Sequence, residues 1–127
     1  MRNVVLDTNA LLFPYQLGIN IEKEITRLLG ICRIMVPTSV IKEAERLAAG
    51  DGSVSTAAKL GLSIVRKRDF QIIETVYEGD DGVMDVAVKM NAAIVTNDKE
   101  LKKKAKEMGL PVIYVRGESR LEIEESL

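Results

Sequence analysis

Val4-Val5-Leu6-Asp7-Thr8-Asn9-Ala10-Leu11-Leu12-Phe13 is the stretch on which the fold turns. A short run of branched apolar residues reads as a buried strand. A carboxylate and two turn-forming polar residues follow, and then an apolar run that reads as the start of a helix. Asp7 therefore arrives at the C-terminal end of a strand, where open α/β sheets carry their sites. It interrupts two apolar runs, and a buried carboxylate without a partner is costly.

The same alternation continues outward from this unit. Residues 2–6 read as the first strand and 9–17 as a short helix stopped by Gly18. Asn20 caps a helix to Leu29, with Ile21, Ile25, Leu28 and Leu29 inward. Residues 31–36 read as a strand. Pro37-Thr38-Ser39 opens a helix through Ala49, and a further helix covers 54–66, where Gly61 weakens the pattern. Residues 70–74 read as a short strand, 80–90 as a helix and 92–95 as a strand. A helix with Leu101, Ala105 and Met108 inward follows, and then a strand over 112–115. The charged segment from Arg116 has no clear state. Alternating strands and helices predict a three-layer α/β/α fold with a central, mostly parallel sheet.

At 127 residues and 46% hydrophobic, the chain is expected to be one domain with an aliphatic core. No apolar run approaches the roughly 18 residues that span a bilayer, and no signal-peptide pattern opens the chain. A soluble cytoplasmic protein is expected, with no membrane partner. The lone Cys32 cannot close an internal disulfide and reads as a small core hydrophobe. Histidine is absent, which removes Ser-His-Asp and Cys-His catalysis and imidazole-based zinc sites. Carboxylates, hydroxyls, lysines and arginines remain for chemistry. Hard oxygen donors suit Mg²⁺ or Mn²⁺. The formal net charge of −1 offers no global attraction to nucleic acid, so such binding must come from local patches.

Four further acids, Glu43, Asp80, Asp81 and Asp98, lie at junctions comparable to that of Asp7. Helical phase narrows the set. Glu43 falls roughly 85° from the apolar stripe of its helix and Glu45 roughly 115°. Asp80 falls roughly 70° from the stripe of the 80–90 helix, with Asp81 and Asp85 on the far side. Phase thus favours Asp80 as the inward acid, with Asp81 its rival. Each acid alone has an ordinary reading. Asp80, Asp81 and Asp98 can cap helices, Glu43 can be a solvated helix residue, and Thr8-Asn9 can be turn chemistry. The functional case rests on the set. Gathered carboxylates raise one another's pKa unless a cation compensates. A divalent metal compensates, lowers the pKa of bound water and polarises a phosphoryl oxygen.

These residues resemble the motifs of the PIN-domain nucleases. Val4-Val5-Leu6-Asp7-Thr8-Asn9 looks like the family's N-terminal motif. Pro37-Thr38-Ser39-Val40-Ile41-Lys42-Glu43 looks like its second. Asp80-Asp81 with Ala87, and Ile94-Val95-Thr96-Asn97-Asp98, look like its third and fourth. Eighteen residues separate Asp80 from Asp98, similar to the family interval. The resemblance covers Arg2 to about Val115. It implies Mg²⁺- or Mn²⁺-dependent hydrolysis of RNA phosphodiesters, with Asp7, Glu43, Asp80 and Asp98 as the acidic residues. Asp7, Asp80 and Asp98, or Asp81 in place of Asp80, would hold metal. Thr8, Asn9, Thr96 and Asn97 would position the substrate or the carboxylates. Within the family, Thr96-Asn97-Asp98 with Lys99-Glu100-Leu101, and the ending Pro111-Val112-Ile113-Tyr114-Val115, look closest to the ribosomal-RNA-processing branch. The toxin–antitoxin branch is less similar. The implied partners are single-stranded RNA, a second copy of the chain, and an antitoxin or ribosome-assembly protein.

Lys99, Lys102, Lys103 and Lys106 share a helix face that would contact RNA phosphates. The ordinary reading is a solvated lysine face. Arg66-Lys67-Arg68 forms a second small cluster with the same ambiguity. With no aromatic-rich surface, sequence-specific reading of single strands is not indicated. Two other functions compete. Gly79-Asp80 with Asp85 looks like the late acidic motif of haloacid-dehalogenase-type phosphatases, with Asp7 as nucleophile. That chemistry commonly places a second acid two residues on, where this chain has Asn9. A non-catalytic RNA- or protein-binding domain of the same fold is the other.

Overall fold

The computed structural model describes residues 1–125. Six strands form one sheet: β1 (Arg2–Leu6), β2 (Cys32–Pro37), β3 (Gln71–Ile73), β4 (Ala92–Val95), β5 (Val112–Arg116) and β6 (Arg120–Glu124). Six helices cover it: α1 (Thr8–Leu17), α2 (Ile21–Leu29), α3 (Thr38–Ala48), α4 (Gly52–Lys67), α5 (Gly79–Met90) and α6 (Lys99–Glu107). The strand order is β3-β2-β1-β4-β5-β6. All neighbours are parallel except the β5–β6 pair. The expected three-layer, mostly parallel architecture is therefore present. Among the described residues, no helix is long and apolar enough to cross a membrane.

Val4, Val5 and Leu6 are wholly buried, as are Ala92, Ile94 and Val95. Consecutive burial, rather than alternation, means that both faces of β1 and β4 are covered. The chain runs outward from β1 through β2 to β3, then returns to place β4 on the other side of β1. The strand order thus reverses at the β1–β4 boundary. A crevice opens beyond the carboxyl ends of strands at such a switch point.

Gly61 does not interrupt α4. A Cβ there would lie 2.3 Å from the carbonyl oxygen of Leu11, so the glycine permits the close crossing of α4 over α1. The charged C-terminal segment closes the sheet as β6. Leu121 and Ile123 alternate with Arg120, Glu122 and Glu124, and Leu121 is fully buried. α2 holds this strand. Arg27 donates to the Leu121 carbonyl at 2.6 Å, and Glu24 accepts from the Leu121 N–H at 3.0 Å.

Some sequence expectations shift. β2 begins at Cys32 and leaves Ile31 exposed, while Phe70 precedes β3 rather than opening it. Met108 was expected inward but is 57% exposed. α6 ends at Glu107, and Met108 is its capping residue. Cys32 is half-buried against the core, with its thiol pushed up chiefly by burial.

Candidate functional site

Asp7 leaves β1 and caps α1. Its Oδ1 accepts from the Ala10 N–H at 2.8 Å, and its own N–H donates to the Val95 carbonyl of β4 at 3.3 Å. The side chain lies in the switch-point crevice and is only 3% exposed. Burial pushes its carboxyl up to about 7. Hydrogen bonds from Thr96 and Ala10 oppose that shift, and the charges of Asp80 and Asp98 add to it.

Asp98 leaves β4 and caps α6, accepting from the Leu101 N–H at 3.0 Å. Its own N–H donates to Thr96 Oγ1 at 3.0 Å. Thr96 is fully buried, with its hydroxyl tied to both Asp98 and Asp7. Of the two roles expected of it, positioning a substrate or positioning a carboxylate, burial favours the second, through its bond to Asp7. Asn97 is likewise engaged, accepting from the Val115 N–H at 2.9 Å and bracing the β4–α6 turn against β5.

Asp80 stands in the first turn of α5 and Glu43 in the middle of α3. Two small residues allow these helices to meet. A Cβ on Gly82 would lie 2.3 Å from Ser39 Oγ, and Ser39, itself buried, donates to the Gly79 carbonyl at 3.4 Å. The result is a cleft of about 260 Å³ lined by Asp7, Thr8, Asn9, Glu43, Gly79, Asp80, Val83 and Asp98. Four acids from four separate segments thus face one space. Asp80 lies nearer solvent than Asp7, yet its carboxyl is still raised, by partial burial first and then by Asp98.

Asp81 is exposed and lines a different groove, with Met84, Asp85, Val88 and Met108. Helix α5 is capped by Glu78 without a side-chain bond, so neither aspartate performs the capping that their position suggested. Asp7 and Asp98 do cap helices while also facing the cleft.

The lysine face divides. Lys102 lies over the Tyr114 ring, 5.0 Å from its centre, and Lys106 pairs with Glu124 at 3.0 Å. Both therefore face β5 and β6, while Lys99 and Lys103 are exposed. Lys104, outside the expected set, flanks the buried Leu101–Ala105 stripe on the opposite side, and its charge opposes the rise at Asp80. The phase relative to Leu101 was the available signal. Arg68 lies on another surface, paired with Glu22. It borders a larger cavity of about 530 Å³ with Ile31, Cys32 and Phe70. That cavity lies at the amino ends of β2 and β3, away from the gathered acids.

The donor set of the cleft is carboxylate oxygen, suited to a hard divalent cation. Burial first, and then the charges of Asp80 and Asp98, raise the Asp7 carboxyl, and a cation held there would favour its ionised form. Among the described residues, no three acids already converge to ligating distance.

The chain and its fold have known relatives. The family model described as a PIN like domain matches residues 4–118. Ribonuclease VapC9 of Archaeoglobus fulgidus is 34% identical over 98% of this chain and 90% of its own length. Ribonuclease VapC4 of Methanocaldococcus jannaschii is 30% identical over 97% of both chains. Among solved structures, the PIN domain endonuclease Utp24 superposes with a TM-score of 0.79 at 23% identity, covering 98% of this chain and 94% of that one. VapBC2 of Rickettsia felis, bound to a DNA fragment from its promoter, gives 0.61 at 18% identity over 80% and 92%. These two likenesses support the fold.

Proposed function

Since the chain belongs to the PIN-like domain family, we propose that it is a divalent-metal-dependent endoribonuclease acting on single-stranded RNA. The observation that carries the proposal is the cleft shared by Asp7, Glu43, Asp80 and Asp98. Support for RNA as substrate comes from the two curated relatives, each named a ribonuclease.

Asp7, Asp80 and Asp98 would hold Mg²⁺ or Mn²⁺, and Glu43 would hold a second ion or orient the attacking water. When bound, such an ion activates water and offsets charge on the phosphoryl and leaving oxygens. The remaining work belongs to the chain. Thr96 ties the Asp7 carboxylate to the main chain at Asp98, the supporting role that ligand-orienting hydroxyls play. Asn97 braces the same turn. Thr8 and Asn9 line the mouth, where a backbone phosphate would lie. Asp81 takes no part.

Two relatives at 30% identity or above carry the VapC name. A VapC-like ribonuclease is therefore favoured over the ribosomal-RNA-processing role suggested by the chain's later motifs. A homodimer and an antitoxin-type partner follow from that reading. Light scattering tests the first, and co-purification with a neighbouring gene product tests the second.

Cleavage of single-stranded RNA in Mn²⁺, compared with EDTA and with the Asp98→Asn variant, tests the activity. Metal-dependent turnover that disappears in the variant is expected. RNA binding without turnover in any divalent metal would favour the non-catalytic alternative. A phosphoenzyme trapped on Asp7 would favour the phosphatase, a reading that leaves Glu43 and Asp98 idle in the cleft.

A further inference from the structure

We infer that the groove beside the acid cleft seats one nucleotide of the RNA strand, with its base stacked on Tyr77 and its phosphate between Lys42 and Arg46. This rests on the ribonuclease reading and adds where the substrate lies. The groove measures about 320 Å³, and Glu43 and Gly79 line both it and the acid cleft, so the two are continuous. Lys42 and Arg46 project from α3 into the groove, and Glu78 is the acid on its opposite wall.

An acidic cleft repels a polyanion unless cations flank it. Lys42 and Arg46 supply one bank, and Lys104, beside Asp80, supplies the other. Arg46 touches Glu43 at only 3.7 Å with its side chain 73% exposed. So loose a surface pair is worth little and leaves the guanidinium available to a phosphate.

Val76 and Tyr77 give the groove an apolar side on a hydrogen-bonded loop. Val76 is 90% and Tyr77 54% exposed, yet the loop carrying them is pinned. Thr75 donates its N–H to Thr38 Oγ1 at 3.1 Å, and Thr38 donates to the Thr75 carbonyl at 3.4 Å. The Thr75 hydroxyl donates to Asp85 at 2.7 Å and accepts from the Tyr77 N–H at 3.3 Å. Behind the loop, a Cβ on Gly82 would lie 3.0 Å from the Tyr77 carbonyl. The backbone that carries the ring is thus held in place, and a platform on a preorganised segment loses less freedom on binding. Every base has a π face, so such a platform accepts any sequence.

The test uses Tyr77→Ala and Tyr77→Phe in the full chain with a randomised-sequence, fluorescein-labelled single-stranded RNA. Tyr77→Ala should weaken RNA binding about tenfold, the typical loss of one stacked base, and raise KM while leaving kcat within about twofold. Tyr77→Phe should behave as the parent. On an abasic ribose-phosphate chain, parent and Tyr77→Ala should bind alike. Arg46→Ala should flatten the salt dependence by about one phosphate contact. Unchanged binding in Tyr77→Ala, or an equal loss on abasic RNA, overturns the inference. If Asp98→Asn abolishes cleavage while Tyr77→Ala binds normally, the groove assignment alone falls. If Asp98→Asn cleaves like the parent, the nuclease reading falls, and RNA binding still reports on Tyr77.

Discussion

Asp7 is expected to weaken the fold it serves, and replacing it with asparagine should stabilise the metal-free protein while abolishing cleavage. Its carboxyl is held at about 7 against an ordinary 3.8, chiefly by burial. The folded state therefore binds this proton more tightly than the unfolded chain does. Stability is greatest while both states are protonated and falls as pH rises from 3.8 to about 7. Above that window the full penalty applies. A gap of about three pH units at about 1.4 kcal/mol each sets it at about 4 kcal/mol at most. Asparagine has the same shape and no charge. Its carbonyl keeps the bond from the Ala10 N–H, and the Thr96 hydroxyl can turn to accept from its amide. In EDTA at ~pH 8, a gain of even half that penalty would raise the melting midpoint by about 5–10 °C. The gain should shrink toward ~pH 4, where the parent is protonated. Mn²⁺ should stabilise the parent more than the variant, because the ion supplies the missing counter-charge. Thermal unfolding by circular dichroism across this pH range, with and without Mn²⁺, reads every element. A parent whose midpoint is flat with pH in EDTA, with Asp7→Asn melting at or below it, would refute the reasoning.

Three other outcomes are expected. Asp80→Asn should lower kcat for RNA cleavage at least about a hundredfold, whereas Asp81→Asn, which faces the Met84–Met108 groove, should cleave within about threefold of the parent; a reversed pair of results would exchange their roles. Gly82→Ala should cost about 1–3 kcal/mol in denaturant unfolding, because its methyl meets Ser39 Oγ at 2.3 Å, and adding Ser39→Ala should recover part of that loss. Lys104→Ala should weaken RNA binding several-fold at low salt and converge with the parent at high salt, with the slope measured by anisotropy; an unchanged slope would remove Lys104 from the substrate path.

Much of the candidate site was legible because its carboxylates sit at positions marked by pattern breaks. Asp7 ends an apolar run, Asp98 follows another, and helical phase separated Asp80 from Asp81 and Glu43 from Glu45. The structure turns Asp80 and Glu43 into the cleft and leaves Asp81 and Glu45 outside. The lysines were less legible. Four residues of similar phase looked equivalent, yet Lys102 and Lys106 are engaged by Tyr114 and Glu124. Those partners lie on β5 and β6, and β6 was not foreseen, because the charges of Arg120, Glu122 and Glu124 masked its alternation.

Local chemistry alone determined the alternating elements, the aliphatic core, the exclusion of histidine chemistry and the candidate acids. These depend on side-chain type and on periods of a few residues, both of which are written in the chain. Tertiary structure decided what depends on contacts between distant segments. It set β4 beside β1, and that reversal of strand order creates the crevice. It also gave Gly61 and Gly82 their purpose, since the need for a missing Cβ becomes visible only where another helix crosses. Through burial and neighbouring charge it raised the Asp7 carboxyl to about 7, because a pKa reports surroundings that no single stretch of sequence contains.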